Sequence, residues 1–159
     1  MKKTYSCADI IAIFNTLNNM KSRSDIIPGD AEIFWANTIN LEEFSKASSN
    51  IQKVMDGIID SHFTDNVCHI EKTESGEERK VLNEDSKDMV LSKLDIELDK
   101  INRKEMEIEI ETIPKSSFEK MIKANEKSMS FLEMTVMQQF VEDSKTKDGT
   151  EDKIDKVEE

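Results

Sequence analysis

Between residues 41 and 62, a mostly apolar series of residues is separated by alternating steps of three and four. The series comprises Leu41, Phe44, Ser48, Ile51, Met55, Ile58 and His62. Such spacing places the side chains in one stripe on a helix, and Asp30, which follows the turn signal Pro28-Gly29, is its predicted N-cap. A helix from Ala31 to Ser61 would be about 45 Å long at a rise of 1.5 Å per residue. Because a helix cannot bury its own stripe, other helices or a second copy of the chain must cover it.

Helical periodicity predicts two further helices, at about Cys7 to Met20 with Ser6 as N-cap and at about Ser86 to Arg103. The segment from Phe63 to Leu82 loses this period, and its β-compatible residues and polar turn predict a loop or a short hairpin. These elements indicate a mainly α fold with a minor β hairpin or strand. We expect an antiparallel helical bundle around the one long helix.

The C-terminal part contains two capping-box patterns, Ser116 with Glu119 and Ser130 with Glu133. They predict two short helices, or one helix that bends before the second box. Methionines at helical spacing in this part are interpreted as core residues rather than as an adaptable binding surface. They are Met121, Met129, Met134 and Met137.

After the third predicted helix the apolar period changes from 3.6 to 2. Acidic and apolar residues then alternate strictly from Glu105 to Glu111, which is the pattern of a half-buried strand. Glutamate is a poor strand former, so a continued helix is the alternative. We favour the strand, because a helix would spread these apolar side chains around its circumference.

Charge separates the chain into a folded body and a tail. The 34 acidic and 22 basic residues give a net charge of −12, of which −3 falls on residues 143–159 and −9 on residues 1–142. We expect residues 1–142 to form a single domain and the acidic tail, with few aliphatic residues, to be disordered. This charge argues against direct nucleic-acid binding, and the longest apolar stretch is too short for a membrane span. Cytoplasmic residence, in the host cell, is the expectation.

Candidate chemistry is sparse. Cys68 lies near His62 and His69, but the segment lacks the ligand spacing of a zinc site, and Cys7 with Cys68 does not make a disulfide framework. The glutamate row could bind a divalent cation, yet nothing in the sequence identifies a further ligand. We therefore expect no enzyme activity, and we assign no catalytic, cofactor-binding or metal-binding residue.

Two features instead indicate a binding surface. Ile33, Phe34 and Trp35 cannot all face one narrow seam, so either Phe34 or Trp35 is expected at an interface or partly exposed, with core packing as the alternative. Acidic residues concentrate on the third helix and the strand that follows it. The candidate partner-binding residues are Trp35, Glu97, Glu105, Glu107, Glu109 and Glu111.

The order of these elements resembles a known group of proteins. A short helix precedes the turn Asp25-Ile26-Ile27-Pro28, and a long helix follows it. A polar turn at Glu74 to Glu77, a third helix, the alternating strand and a short helix ending in Met137 to Glu142 complete the layout. This layout resembles a family of small uncharacterised proteins encoded by phages and prophages of low-GC bacteria. The resemblance covers about Ala8 to Glu142 and implies no enzyme activity.

Three hypotheses of function follow. The first is a phage or mobile-element protein that acts by protein–protein contact, an inhibitor of a host-defence (anti-CRISPR-like) nuclease complex. Its acidic surface would imitate the phosphates of a duplex and occupy a basic nucleic-acid-binding groove. The alternative is a virion assembly or structural (head or tail) component, with the long helix forming a homo-oligomer. A metal-dependent enzyme built on the glutamate row ranks last.

Overall fold

The structure, a computed structural model, describes residues 1–142. Within this part of the chain there are nine helices and strands. In chain order they are β1 (Lys2–Ser6), α1 (Cys7–Ser22), α2 (Ala31–His62), β2 (Cys68–Lys72), β3 (Glu78–Leu82), α3 (Glu84–Asn102), β4 (Glu105–Glu109), α4 (Lys115–Ala124) and α5 (Phe131–Gln138). The predicted mainly α class with a minor β component is confirmed. The tail predicted for residues 143–159 lies outside the described residues.

Local capping explains where most of the helices begin. The Asp9 N–H donates to Ser6 Oγ at 3.1 Å, and the Ile33 N–H donates to Asp30 Oδ1 at 3.2 Å. Both interactions satisfy a backbone N–H that the first helical turn leaves without a partner. The predicted starts of α1 and α2 are therefore confirmed.

One of the two predicted capping boxes is wrong. α4 begins at Lys115 with Pro114 at the N-cap, because the Pro114 carbonyl already accepts from the N–H groups of Ser117 and Phe118, each at 3.0 Å. Ser116 therefore lies inside the first turn and caps nothing. At α5 both bonds of the box between Ser130 and Glu133 are present, so the predicted second helix is confirmed.

The strands form two separate antiparallel pairs, β1 with β4 and β2 with β3. The β2–β3 hairpin confirms the hairpin alternative for this region, and its turn contains Gly76 at φ +83°, a conformation that favours glycine. Strand β1 was not predicted. Its five residues contain one large apolar side chain, and its partner residues in β4 are 99 to 107 positions away along the chain.

The main core lies between α1, the first part of α2, the inner face of the β1–β4 pair, α4 and α5. At its centre the ring of Phe44 meets Tyr5 and Phe140 edge-on, with centroids 5.3 and 5.9 Å apart. Of the predicted stripe on α2, Phe44, Ser48 and Ile51 are buried. The predicted core methionines Met121, Met129 and Met137 are buried, and Met134 packs against them partly exposed.

The two aromatic side chains at the start of α2, Phe34 and Trp35, do not pack in the core, so the core-packing alternative is wrong. Ile33 is buried, whereas Phe34 is 68% exposed and Trp35 is 61% exposed. Helix geometry places successive residues 100° apart, so Ile33 facing the core turns the two aromatic side chains away from it. Both aromatic side chains, not one, are therefore on the surface.

Within residues 1–142, no helix combines the length and the apolar content that crossing a bilayer requires.

Candidate functional site: an acidic sheet edge

The alternating segment forms an exposed row of carboxylates. In β4, Glu105, Glu107 and Glu109 are exposed, whereas Ile108 is buried in the main core. The alternation continues through buried Ile110 to exposed Glu111. The predicted half-buried strand is confirmed, and the continued helix is excluded. We call the side chains of Glu105, Glu107, Glu109 and Glu111 the acidic row.

The pairing of β4 with β1 determines which way the backbone of the acidic row faces. The Met1 amine and the Ile110 N–H each donate to the other residue's carbonyl, both at 2.7 Å, and the Cys7 N–H donates to the Lys104 carbonyl at 2.8 Å. Hydrogen-bonded pairs alternate along an antiparallel ladder. The N–H and C=O groups of the even-numbered residues of β4 therefore point towards β1. Those of the odd-numbered glutamates point to the opposite edge of the strand.

Asn40 of α2 covers the end of that edge. Its Nδ2 donates to the Glu111 carbonyl at 2.9 Å, and the Glu111 N–H donates to its Oδ1 at 2.8 Å. The Asn40 side chain is fully buried. The side-chain amide therefore makes the two bonds that one residue of a third strand would make.

A groove of about 250 Å³ lies between α2 and the end of β4. It is lined by Met1, Ile39, Glu43, Glu109, Ile110 and Glu111. Trp35, Ile39 and Glu43 are spaced four residues apart, so they follow one stripe of α2. The exposed Trp35 therefore lies on the groove-lining stripe, one turn before Ile39.

The acidic row is largely without counter-charges. Lys2, which lies across the β1–β4 ladder from Glu109, places Nζ 3.8 Å from the Glu107 carboxylate. Within the described residues, the other three carboxylates of the row have no ion-pair partner. At the groove, Glu43 is paired with Lys46 at 2.9 Å. The row therefore presents a negative field to solvent, which attracts positive groups over about one Debye length, roughly 8 Å in physiological salt.

Glu97 does not belong to this row. Its Oε2 lies 3.2 Å from His62 Nε2, where α3 meets the end of α2. The structure thus brings together four of the six predicted partner-binding residues, places Trp35 beside their groove, and leaves Glu97 at a different contact.

The other candidate groups have structural partners. Cys68 is buried in a small second cluster with Leu82 and Val90. Hydrogen bonds from His69 to Asn83 and to Glu71 raise the pKa of its imidazole. Between Met1 and Glu142, no three or more His, Cys, Asp or Glu side chains are placed so that together they could hold a metal ion. What the acidic row and its groove offer is negative charge, backbone hydrogen-bonding groups and apolar surface.

Sequence reasoning missed Lys2 and Asn40. The signal for Asn40 was present, because it is a polar residue among Ile33, Ala36 and Phe44 on the buried stripe of α2. A buried amide needs hydrogen-bond partners, although the sequence does not say which ones.

Comparison with known proteins does not assign the chain to a family. No protein family, curated protein or solved structure matches the chain. The resemblance to phage-encoded proteins stays a prediction.

Proposed function

We propose that this protein is a non-enzymatic binding module whose acidic row engages a basic surface of a partner protein. The observation that carries the proposal is the alignment of Glu105, Glu107, Glu109 and Glu111 along one exposed strand face, with one ion pair, to Lys2, among residues 1–142. Uncompensated like charges repel one another, so a surface that keeps them together gains most from a partner of opposite sign.

The partner class that we propose is a basic nucleic-acid-binding complex, with a host-defence (anti-CRISPR-like) nuclease complex as the specific case. Carboxylates at every second strand residue are about 6.8 Å apart, whereas one strand of duplex DNA carries a phosphate every 3.4 Å or so. The acidic row therefore has about half the linear charge density of one DNA strand. It suits occupation of part of a basic groove rather than imitation of a whole duplex. The phage or mobile-element origin, and action in the host cytoplasm, rest on the sequence resemblance.

The test is affinity purification of the tagged protein from its host, with two variants of equal net charge. In the first variant the acidic row is neutralised as E105Q/E107Q/E109Q/E111Q. In the second, exposed glutamates elsewhere are neutralised as E74Q/E77Q/E84Q/E126Q. We expect the wild type and the second variant to retain a nucleic-acid-binding complex and to inhibit its activity, and the first variant to lose both properties.

Two results would contradict the proposal. Equal loss in both variants would assign the effect to net charge alone. A complex whose affinity is unchanged between about 50 and 500 mM salt would exclude the acidic row as the contact, because screening weakens exposed charge pairs.

A virion assembly or structural role is the second candidate, and the exposed apolar residues favour it. Phe34, Trp35, Phe131 and Leu132 all have most of their side chains in solvent, and large exposed apolar groups often mark interfaces. In this proposal the helices form an antiparallel bundle around α2, and copies of the chain assemble into a homo-oligomer through that long helix. It predicts a symmetric oligomer of the purified protein in light scattering, and a monomer at high concentration would exclude it.

A further inference from the structure

We propose that the free edge of β4 accepts an extended basic segment of the partner as a third strand. This inference rests on the proposed function, because it specifies how the acidic row binds its basic partner. The segment would have lysine or arginine at alternate positions, with small or β-branched residues between them. Its backbone would pair with β4 while its basic side chains lie over the acidic row.

The first support is a set of unused backbone groups. The N–H and C=O groups of Glu105, Glu107 and Glu109 face away from β1, and none bonds to another backbone or side chain among residues 1–142. Six hydrogen-bonding groups therefore line one short edge. An edge of this kind is a template for pairing with a further strand.

The second support is the position of Asn40. Its amide already makes, with Glu111, both bonds that the first residue of a third strand would make. Beyond it the groove beside Ile39 and Glu43 leaves space next to Glu109. An added strand would continue from Asn40 past Glu109 towards Glu105.

The third support is charge complementarity, and it selects the occupant. Directly opposite residues of a ladder project from the same face, and Lys2 of β1 shows a basic side chain in that relation to the acidic row. A second copy of β4 would place glutamate opposite glutamate, which is destabilising. The chain's own residues 143–159 carry seven acidic and four basic residues, and their one alternating basic pair, Lys145 and Lys147, is flanked by Asp143 and Asp148. They therefore offer less positive charge to the acidic row than a basic segment of a partner does. A basic strand is the occupant that removes the repulsion.

The experiment uses three synthetic peptides with the same alternating sequence of lysine and valine. The first peptide is unmodified. The second is methylated on the backbone nitrogen of every lysine, and the third is methylated on the backbone nitrogen of every valine. Only alternate N–H groups of an added strand face its neighbour. Peptide binding to the whole protein is measured by calorimetry, and amide hydrogen exchange of the protein is followed by NMR.

We expect the unmodified peptide and one methylated peptide to bind with similar affinity, and the other methylated peptide to bind about tenfold or more weakly, since it lacks several hydrogen bonds. We also expect slower exchange at the amides of Glu107 and Glu109 in the complex. The E105Q/E107Q/E109Q/E111Q variant should lose the affinity for all three peptides, whereas E74Q/E77Q/E84Q/E126Q should retain it.

Equal binding of the two methylated peptides, or unchanged exchange at Glu107 and Glu109, would overturn strand addition while leaving a purely electrostatic contact. Failure of the unmodified peptide to bind would also overturn it. The proposed function is tested separately, on the purified partner complex. It fails if neutralising the acidic row leaves that complex intact, if both glutamine variants lose it equally, or if its affinity does not depend on salt, so the two failures are distinguishable.

Discussion

The carboxamide of Asn40 pairs with both backbone groups of Glu111, through bonds of 2.9 and 2.8 Å across 71 positions of the chain. This contact attaches the middle of the buried stripe of α2 to the end of the acidic row. It also satisfies two backbone groups that would otherwise lack partners beside the core. A polar residue on an apolar stripe therefore positions the candidate site.

The first prediction concerns this contact. Replacing Asn40 by alanine should lower the free energy of unfolding by about 2–4 kcal/mol, because the Glu111 N–H and C=O lose their partners. Urea denaturation measures the change. Asn50, which is exposed on the same helix, is the matched control, and its alanine variant should stay within about 0.5 kcal/mol of the wild type. Equal stability of N40A and N50A would show that the contact is dispensable.

The second prediction separates two phenylalanines of α2. Phe44 is fully buried between Tyr5 and Phe140, whereas Phe34 is mostly exposed. F44A should cost about 3–5 kcal/mol through lost burial and a cavity, and F44L, which keeps most of the volume, should cost less. F34A should change the unfolding free energy by under about 0.5 kcal/mol. A large loss of stability in F34A would place Phe34 in the core after all.

The third prediction tests which capping box acts. Ser130 caps α5 with reciprocal bonds to Glu133 of 3.3 and 2.7 Å, while Ser116 lies exposed inside α4. S130A should destabilise the protein by about 1 kcal/mol, whereas S116A should have almost no effect. Thermal unfolding of the two variants provides the comparison, and a larger loss for S116A would restore the box that the structure excludes.

The fourth prediction is a pH dependence from Glu133. Burial by itself raises the pKa of this carboxyl, but hydrogen bonds from the backbone and hydroxyl of Ser130, together with Arg23 at 2.7 Å, outweigh it, so the pKa is lowered. A lowered folded pKa contributes stability that is present above the unfolded value, about 4.3. This contribution is lost as the pH falls through the folded pKa.

The variant E133Q should therefore be less stable than the wild type near neutral pH, by about 1–3 kcal/mol for lost charged hydrogen bonds. The difference should be smaller at about pH 3.5 than near neutral pH, because below about 4.3 the unfolded state takes up a proton that the folded carboxylate resists. Urea denaturation at both pH values measures it. Asp25 binds the same Arg23 but is 57% exposed, against 9% for the Glu133 side chain, so D25N should have the smaller effect. If the stabilities of the wild type and E133Q fall by the same amount between the two pH values, the pH dependence does not come from Glu133.

Local patterns predicted much of the fold. The three-and-four spacing on α2, the cap at Asp30, the box at Ser130 and the alternation from Glu105 to Glu111 all depend on residues a few positions apart. Each is a periodicity or a capping interaction between residues close in sequence, so it can be predicted without knowing the tertiary contacts. The failure at Ser116 is local too, because Pro114 starts the turn two residues earlier.

For the candidate site, the alternating pattern alone predicts that the glutamates of the acidic row share one exposed face, because a strand alternates its side chains regardless of what surrounds it. Tertiary packing places β1 on one side of β4, with Met1 and Ile110 paired across 109 positions. It also places Asn40 at one end of the acidic row and Trp35 one helical turn before the groove, and it pairs Glu97 with His62. These relations depend on the packing of distant segments, which no local period encodes, and they leave the backbone groups along one edge of β4 without partners among residues 1–142.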